Sequence, residues 1–240
     1  MNPLSYEPIF NRIAFYLNIK GLYKLMKTCK DIHRIGMLPN YKAKLYKFSS
    51  YLASKYGDLP IIKWLHNNNY KFTTWVMDNA AWYGHLELVK WLHENRKEGC
   101  TEYAMDNAAL NDHLEVVQWL HENRNEGCTK WVMDWAAKGG HLEVIKWLHE
   151  NKKKGCTKDA IDWAAAQGHL EVVKWLHENR KEGCTKYAMN LAAENGHLEV
   201  VKWLHENRKE GCTDWAMNYA AQYGHLVVVQ YLVEHNLTGQ

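Results

Sequence analysis

The chain has 240 residues, 47% of them hydrophobic and 24% charged, with 30 Lys and Arg against 27 Asp and Glu for a net charge of +3. That composition belongs to a folded chain, and it offers no concentrated charge for nucleic acid or an anionic membrane, so neither partner is expected. No apolar run reaches the length of a membrane span, and the opening MNPLSYEPIF lacks the basic-then-apolar layout of a secretory signal. A cytoplasmic protein is expected, with reduced thiols: Cys100, Cys128, Cys156, Cys184 and Cys212 recur every 28 residues, a spacing too even for a disulfide framework.

Residues 1–45 form a separate segment, since they hold none of the 12 tryptophans and do not fit the period that follows. Ile9, Ile13 and Leu17 are spaced i, i+4, i+8, and Leu22, Leu25 and Cys29 are spaced i, i+3, i+7, which predicts two or three short helices. The segment resembles an F-box at Ile13, Tyr16, Leu17, Leu22, Leu25, Cys29 and Lys30, although Pro8 is displaced from that family's Leu-Pro opening and Ile32 stands where an aromatic is usual. The resemblance implies that these seven positions dock on a Skp-family adaptor. The competing reading is a plain helical cap over the apolar end of the array that follows.

From residue 46 onward the sequence repeats. His85, His113, His141, His169, His197 and His225 are 28 residues apart, as are Trp91, Trp119, Trp147, Trp175, Trp203 and Tyr231, and Trp64 stands 27 residues before Trp91 in a degenerate first copy. Each unit reads as two helices. In TKYAMNLAAENG, Thr185 is the expected N-cap, Ala188, Ala192 and Ala193 the buried face, and Gly196 the stop; Asp112 replaces that glycine once. In HLEVVKWLHENRK, Leu198, Val200, Val201, Trp203 and Leu204 make an apolar arc wide enough for neighbours on both sides. Glu199, Lys202 and Glu206 make a polar line, and the basic residues before Gly211 are read as the helix's last turn. In the first copy, Asp58 takes the histidine slot and Pro60 follows two residues later, which marks a helix start.

AAENGHLEVVKWLHE resembles the core of the ankyrin repeat, across seven units over residues 46–240. The resemblance implies an all-α solenoid of stacked helical pairs. The units are shorter than the usual 33 residues or so and lack the family's TPLHxA opening, so stubby loops are expected in place of protruding hairpins.

Cys100, His113 and His121 stand for a Cys–His–His set in each unit, but neither C-x-x-C nor H-x3-H occurs, so no metal is expected. WLHENR lacks the second histidine of H-E-x-x-H, and no phosphate-binding glycine loop is present. A thiol ahead of a helix N-terminus would be made somewhat more acidic, yet five equivalent thiols do not make an active site. Neither catalysis nor a cofactor is expected.

Differences between units fall at offsets 2, 6, 9 and 10 from each opening threonine, one stripe of the first helix. The stripe contributes Trp75, Asn79, Trp82, Tyr83, Tyr103, Asn107, Trp131, Trp135, Asp159, Trp163, Tyr187, Leu191, Trp215 and Tyr219. These residues are expected on a concave groove that binds a protein partner, the alternative being aromatic stacking that only tightens the array. Together with the N-terminal resemblance, the groove implies a substrate receptor of a cullin-type ubiquitin ligase, expected to be monomeric. Combined F-box and ankyrin chains are similar to proteins of large DNA viruses that act in a host's cytoplasm. The alternative is a structural or assembly repeat protein. Val227, apolar where the full copies carry Glu, marks its last unit as a docked or loose end.

Overall fold

The computed structural model describes residues 50–67, 69–151 and 155–237. The chain divides into two compact units, Met1–Phe72 and Thr73–Gln240. The F-box-like positions Ile13, Tyr16, Leu17, Leu22, Leu25, Cys29 and Lys30 lie outside the described residues.

In the first unit, helical residues 50–56 precede α1 (Leu59–Asn67). The start read at Asp58 is present: its Oδ1 accepts the Ile61 N–H at 3.1 Å, satisfying an amide that has no partner within the first turn.

The second compact unit is six helical pairs, counted below as repeat units one to six: α2 (Thr74–Trp82) with α3 (Leu86–Asn95), α4 (Tyr103–Leu110) with α5 (Leu114–Asn123), α6 (Val132–Gly139) with α7 (Leu142–Asn151), α8 (Asp159–Ala166) with α9 (Leu170–Asn179), α10 (Lys186–Glu194) with α11 (Leu198–Asn207), and α12 (Asp214–Gln222) with α13 (Leu226–Glu234). No strand occurs among the described residues, and short loops take the place of hairpins, as the 28-residue period predicts.

Each pair turns at one left-handed residue. Gly84, Gly140, Gly168, Gly196 and Gly224 have φ between 74° and 79°, and Asp112, the one exception, holds the same conformation at 62°. The histidine after it is the N-cap of the second helix at residues 85, 113, 169, 197 and 225.

Packing follows from side-chain size. Ala80, Ala81, Ala108, Ala109, Ala136, Ala137, Ala164, Ala165, Ala192 and Ala193 are fully buried, so little more than methyl groups separates successive first helices. Their backbones therefore approach more closely than those of the second helices. Between the layers lie Met105, Met133, Ile145, Leu148, Leu176 and Leu204, each fully buried and contributing about 1.5–3 kcal/mol by leaving water.

One reading is corrected. The second helix does not run into its basic residues: it stops at Asn95, Asn123, Asn151, Asn179 and Asn207, whose side-chain amides donate at 2.8–2.9 Å to the carbonyl four residues back. Arg96, Arg124, Arg180 and Arg208 follow in extended backbone, outside the helix. The asparagine amide satisfies a last-turn carbonyl, and the arginine is released to bond elsewhere.

Candidate protein-binding face

Three sets of bonds between units hold the first-helix face in register. The first runs from an acid in one first helix to the opening threonine of the next unit. Asp78 Oδ1 accepts the Thr101 N–H at 2.8 Å and its Oδ2 the Thr101 hydroxyl at 2.9 Å; Asp134 with Thr157 and Asp162 with Thr185 repeat both bonds. Each of these hydroxyls also accepts the amide two residues on, as Thr185 does from Tyr187 at 3.0 Å, so one threonine caps its own helix and ties it to the previous one. Asn190 preserves the geometry with the side-chain bond reversed, its Nδ2 donating to Thr213 Oγ1 at 2.9 Å. Burial pushes the carboxyls of Asp78, Asp134 and Asp162 up, against the threonine bonds that pull them down, and Asp134 reaches about 6.

The second set seats each N-cap histidine on the turn of the preceding unit. His113, His141 and His169 donate through Nε2 to the carbonyls of Trp82, Leu110 and Lys138 at 3.1, 2.8 and 3.2 Å. The ring lies so close over the turn that a Cβ added to Gly168 would stand 2.6 Å from His197 Nδ1. Where Asp112 replaces the glycine, its carboxylate stands 3.6 Å from His141 Nδ1. Burial holds His113, His169 and His197 below the usual imidazole range.

The third set lies on the second helices. His93, His149 and His177 each meet the next unit's tryptophan edge to face at 5.1–5.3 Å, and accept at Nδ1 from Arg124, Arg180 and Arg208, whose guanidinium can only donate. Each arginine is clamped in turn by the glutamate two residues on.

None of the five recurrent cysteines is in a disulfide, and among the described residues no cluster of His, Cys, Asp and Glu could hold a metal. The expected acidification by the helix N-terminus is overturned: burial pushes Cys100 and Cys156 up to about 11 and Cys184 to about 12. Desolvation of the thiolate outweighs the helix field and leaves poor nucleophiles.

The variable stripe lies along the first helices. Trp75, Trp82, Tyr103, Trp131, Asp159 and Tyr187 are exposed; Asn79, Tyr83, Asn107, Trp135, Trp163, Leu191, Trp215 and Tyr219 are half-buried. Two groups of rings form. Trp135 and Trp163 from successive units stand 5.0 Å apart, with Lys138 Nζ 5.4 Å from one ring and 5.6 Å from the other, and Lys130 covers Trp131 at 4.9 Å. Farther along, Tyr187 meets Trp215 edge-on at 5.7 Å, Trp215 meets Tyr219 at 5.2 Å, and Tyr219 stacks on Tyr223 at 6.1 Å. Stacking accounts for part of the aromatic surface, yet Trp131 and Tyr187 keep 40% and 53% of theirs in solvent.

Lys138 and Tyr223 fall at offsets 9 and 10 of the same stripe; Lys138 joins the tryptophans and Tyr223 extends the second group. Two features lay outside the sequence reading: Lys130, which covers Trp131, and the buried acids. The buried Asp78, Asp106, Asp134 and Asp162 were legible as an acid five residues after each opening threonine in an otherwise apolar, alanine-rich helix.

No helix among the described residues is long and apolar enough to cross a membrane. No curated protein matches the chain. The family model described as ankyrin repeats (3 copies) matches residues 161–239, and that described as ankyrin repeats (many copies) matches residues 50–93, 77–121 and 133–177. The shared turns, caps and stacked pairs are thus those of a known repeat, and the chain belongs to the ankyrin-repeat family.

Proposed function

We propose that the chain is a protein-interaction scaffold that takes a partner protein across its first-helix face and performs no chemistry of its own. The observation that carries this reading is the confinement of variation: the bonds joining the units recur nearly unchanged, while the stripe of exposed rings differs in every unit. Large rings with few rotatable bonds, gathered on a surface held rigid from beneath, suit a binding anchor because little freedom is lost on contact.

The finer reading is a cytoplasmic, monomeric substrate receptor of a cullin-type ubiquitin ligase. In that reading the F-box-like segment docks on a Skp-family adaptor and the array presents the target. The support is the sequence pattern from Ile13 to Lys30. The stacking of Trp135 on Trp163 favours a second reading, a structural repeat protein whose N-terminal helices serve as a cap.

A native pull-down from cells tests both levels. The wild-type chain is expected to retain a defined protein that the Trp131→Ala/Trp163→Ala variant loses while its helical circular dichroism is kept; equal capture by both removes the surface from the proposal. Co-purification of a Skp-family adaptor is expected with the full chain, and its absence leaves the plain scaffold.

A further inference from the structure

We infer that the middle of this face recognises an acidic segment of a protein partner, one carboxylate seated on Lys138 and an adjoining apolar or aromatic side chain on Trp135 and Trp163. The inference rests on the reading of the first-helix face as the binding surface and adds its chemistry. Charge along that face is uneven. The second unit shows Glu102 to solvent; the third shows Lys130 and Lys138, its one first-helix acid, Asp134, being buried under Thr157; the fourth shows Lys158 beside Asp159; farther on stand exposed Lys186, half-buried Glu194 and exposed Asp214. A basic island on tryptophan is therefore bordered by acids on both sides.

The two ammonium groups of the third unit are held over indole faces and, among the described residues, neither forms an ion pair. Each has given up part of its hydration and part of its rotamer freedom before any partner arrives, which lowers the cost of accepting a carboxylate. Lys138 bridges Trp135 and Trp163, so an acid bound to it brings the next side chain onto the exposed indole edges. A nucleic acid would also stack on these rings. However, its phosphates would run past Glu102 on one side and, on the other, past Asp159, Glu194 and Asp214, which offset Lys158 and Lys186, and a chain of net charge +3 offers little beyond that. A short acidic peptide centred on the third unit meets Lys130 and Lys138 there, with no exposed acid on that unit's first helix.

The test is fluorescence anisotropy of the full chain with three labelled probes, each of about ten units: an alternating Glu–Tyr peptide, an alternating Lys–Tyr peptide and an oligothymidylate. The Glu–Tyr peptide is expected to bind most tightly, to weaken with added salt, and to lose affinity about tenfold with Lys138→Glu and less with Lys138→Gln. Lys138 is exposed, so both variants are expected to keep their circular dichroism. Equal or tighter binding of either other probe overturns the inference, and so does indifference to Lys138→Glu. If Trp163→Ala lowers partner capture while Lys138→Glu leaves Glu–Tyr binding unchanged, the surface stands and its acidic preference falls.

Discussion

The joint between the fourth and fifth units and the outer face of the last unit carry the same turn and small residues in different surroundings. At the joint, Gly168 lies under the His197 ring and Ala165 is fully buried; on the last unit, Gly224 has the same left-handed backbone with open space above it, and Ala221 is exposed. Asp162 bonds to Thr185, whereas Asn218, at the same offset, faces solvent. Backbone conformation is thus set within a unit, while the need for small residues and for the buried acid is set by the neighbour.

Paired substitutions separate those two causes. Gly168→Ala is expected to cost about 2–4 kcal/mol, since it adds displacement of His197 to the strain of a left-handed alanine, whereas Gly224→Ala carries the strain alone at about 1–2 kcal/mol. Urea denaturation measures both, and equal losses would mean that the histidine yields freely. Asp134→Ala leaves the amide and hydroxyl of Thr157 without their acceptor and is expected to cost about 2 kcal/mol, against less than about 0.5 kcal/mol for Asn218→Ala.

The remaining effect is a pH dependence. Because the Asp134 carboxyl sits at about 6 in the fold against an ordinary 3.8, its protonation favours the folded array: that contribution is whole below about pH 4 and is lost as pH rises through about 6. The lowered histidines His113, His169 and His197 act in the opposite sense, losing stability as pH falls below the ordinary imidazole value. Comparing the wild type with Asp134→Asn at each pH cancels the histidines. The variant's urea midpoint is expected to gain on the wild type between pH 4.5 and 7.5, because asparagine already serves this joint at Asn190; parallel curves would show that the buried carboxyl does not titrate in this range.

The helical pairs, the turn at each glycine and its replacement at Asp112 were readable because local chemistry sets them: a cap, a left-handed residue, an apolar arc. What eluded the sequence depends on neighbours 23 to 31 residues away. The Asp78–Thr101 bond, the seating of His113 on Trp82 and the reach of Arg124 back to His93 each cross a joint. Periodicity shows that units stack, but not which atoms meet. The acidity expected of the thiols fails because a helix N-terminus is visible in the sequence and the burial that overrides it is not. On the candidate face, the stripe was legible as variation, whereas the pairing of Trp135 with Trp163 under Lys138 depended on the stacking distance.

The Asp–Thr and Gly–His joints have a consequence for how such a chain changes length. The stretch from Gly168 to Thr185 is identical to that from Gly196 to Thr213, so excising Gly168–Asn195 would bring Gln167 directly before Gly196, with Asp162 next facing Thr213 and Gly196 meeting its own following histidine. Every bond type would be restored while the groove lost one rung. A gene with such a protein can gain or lose reach by recombination between its own copies, and each product folds by rules the chain already obeys.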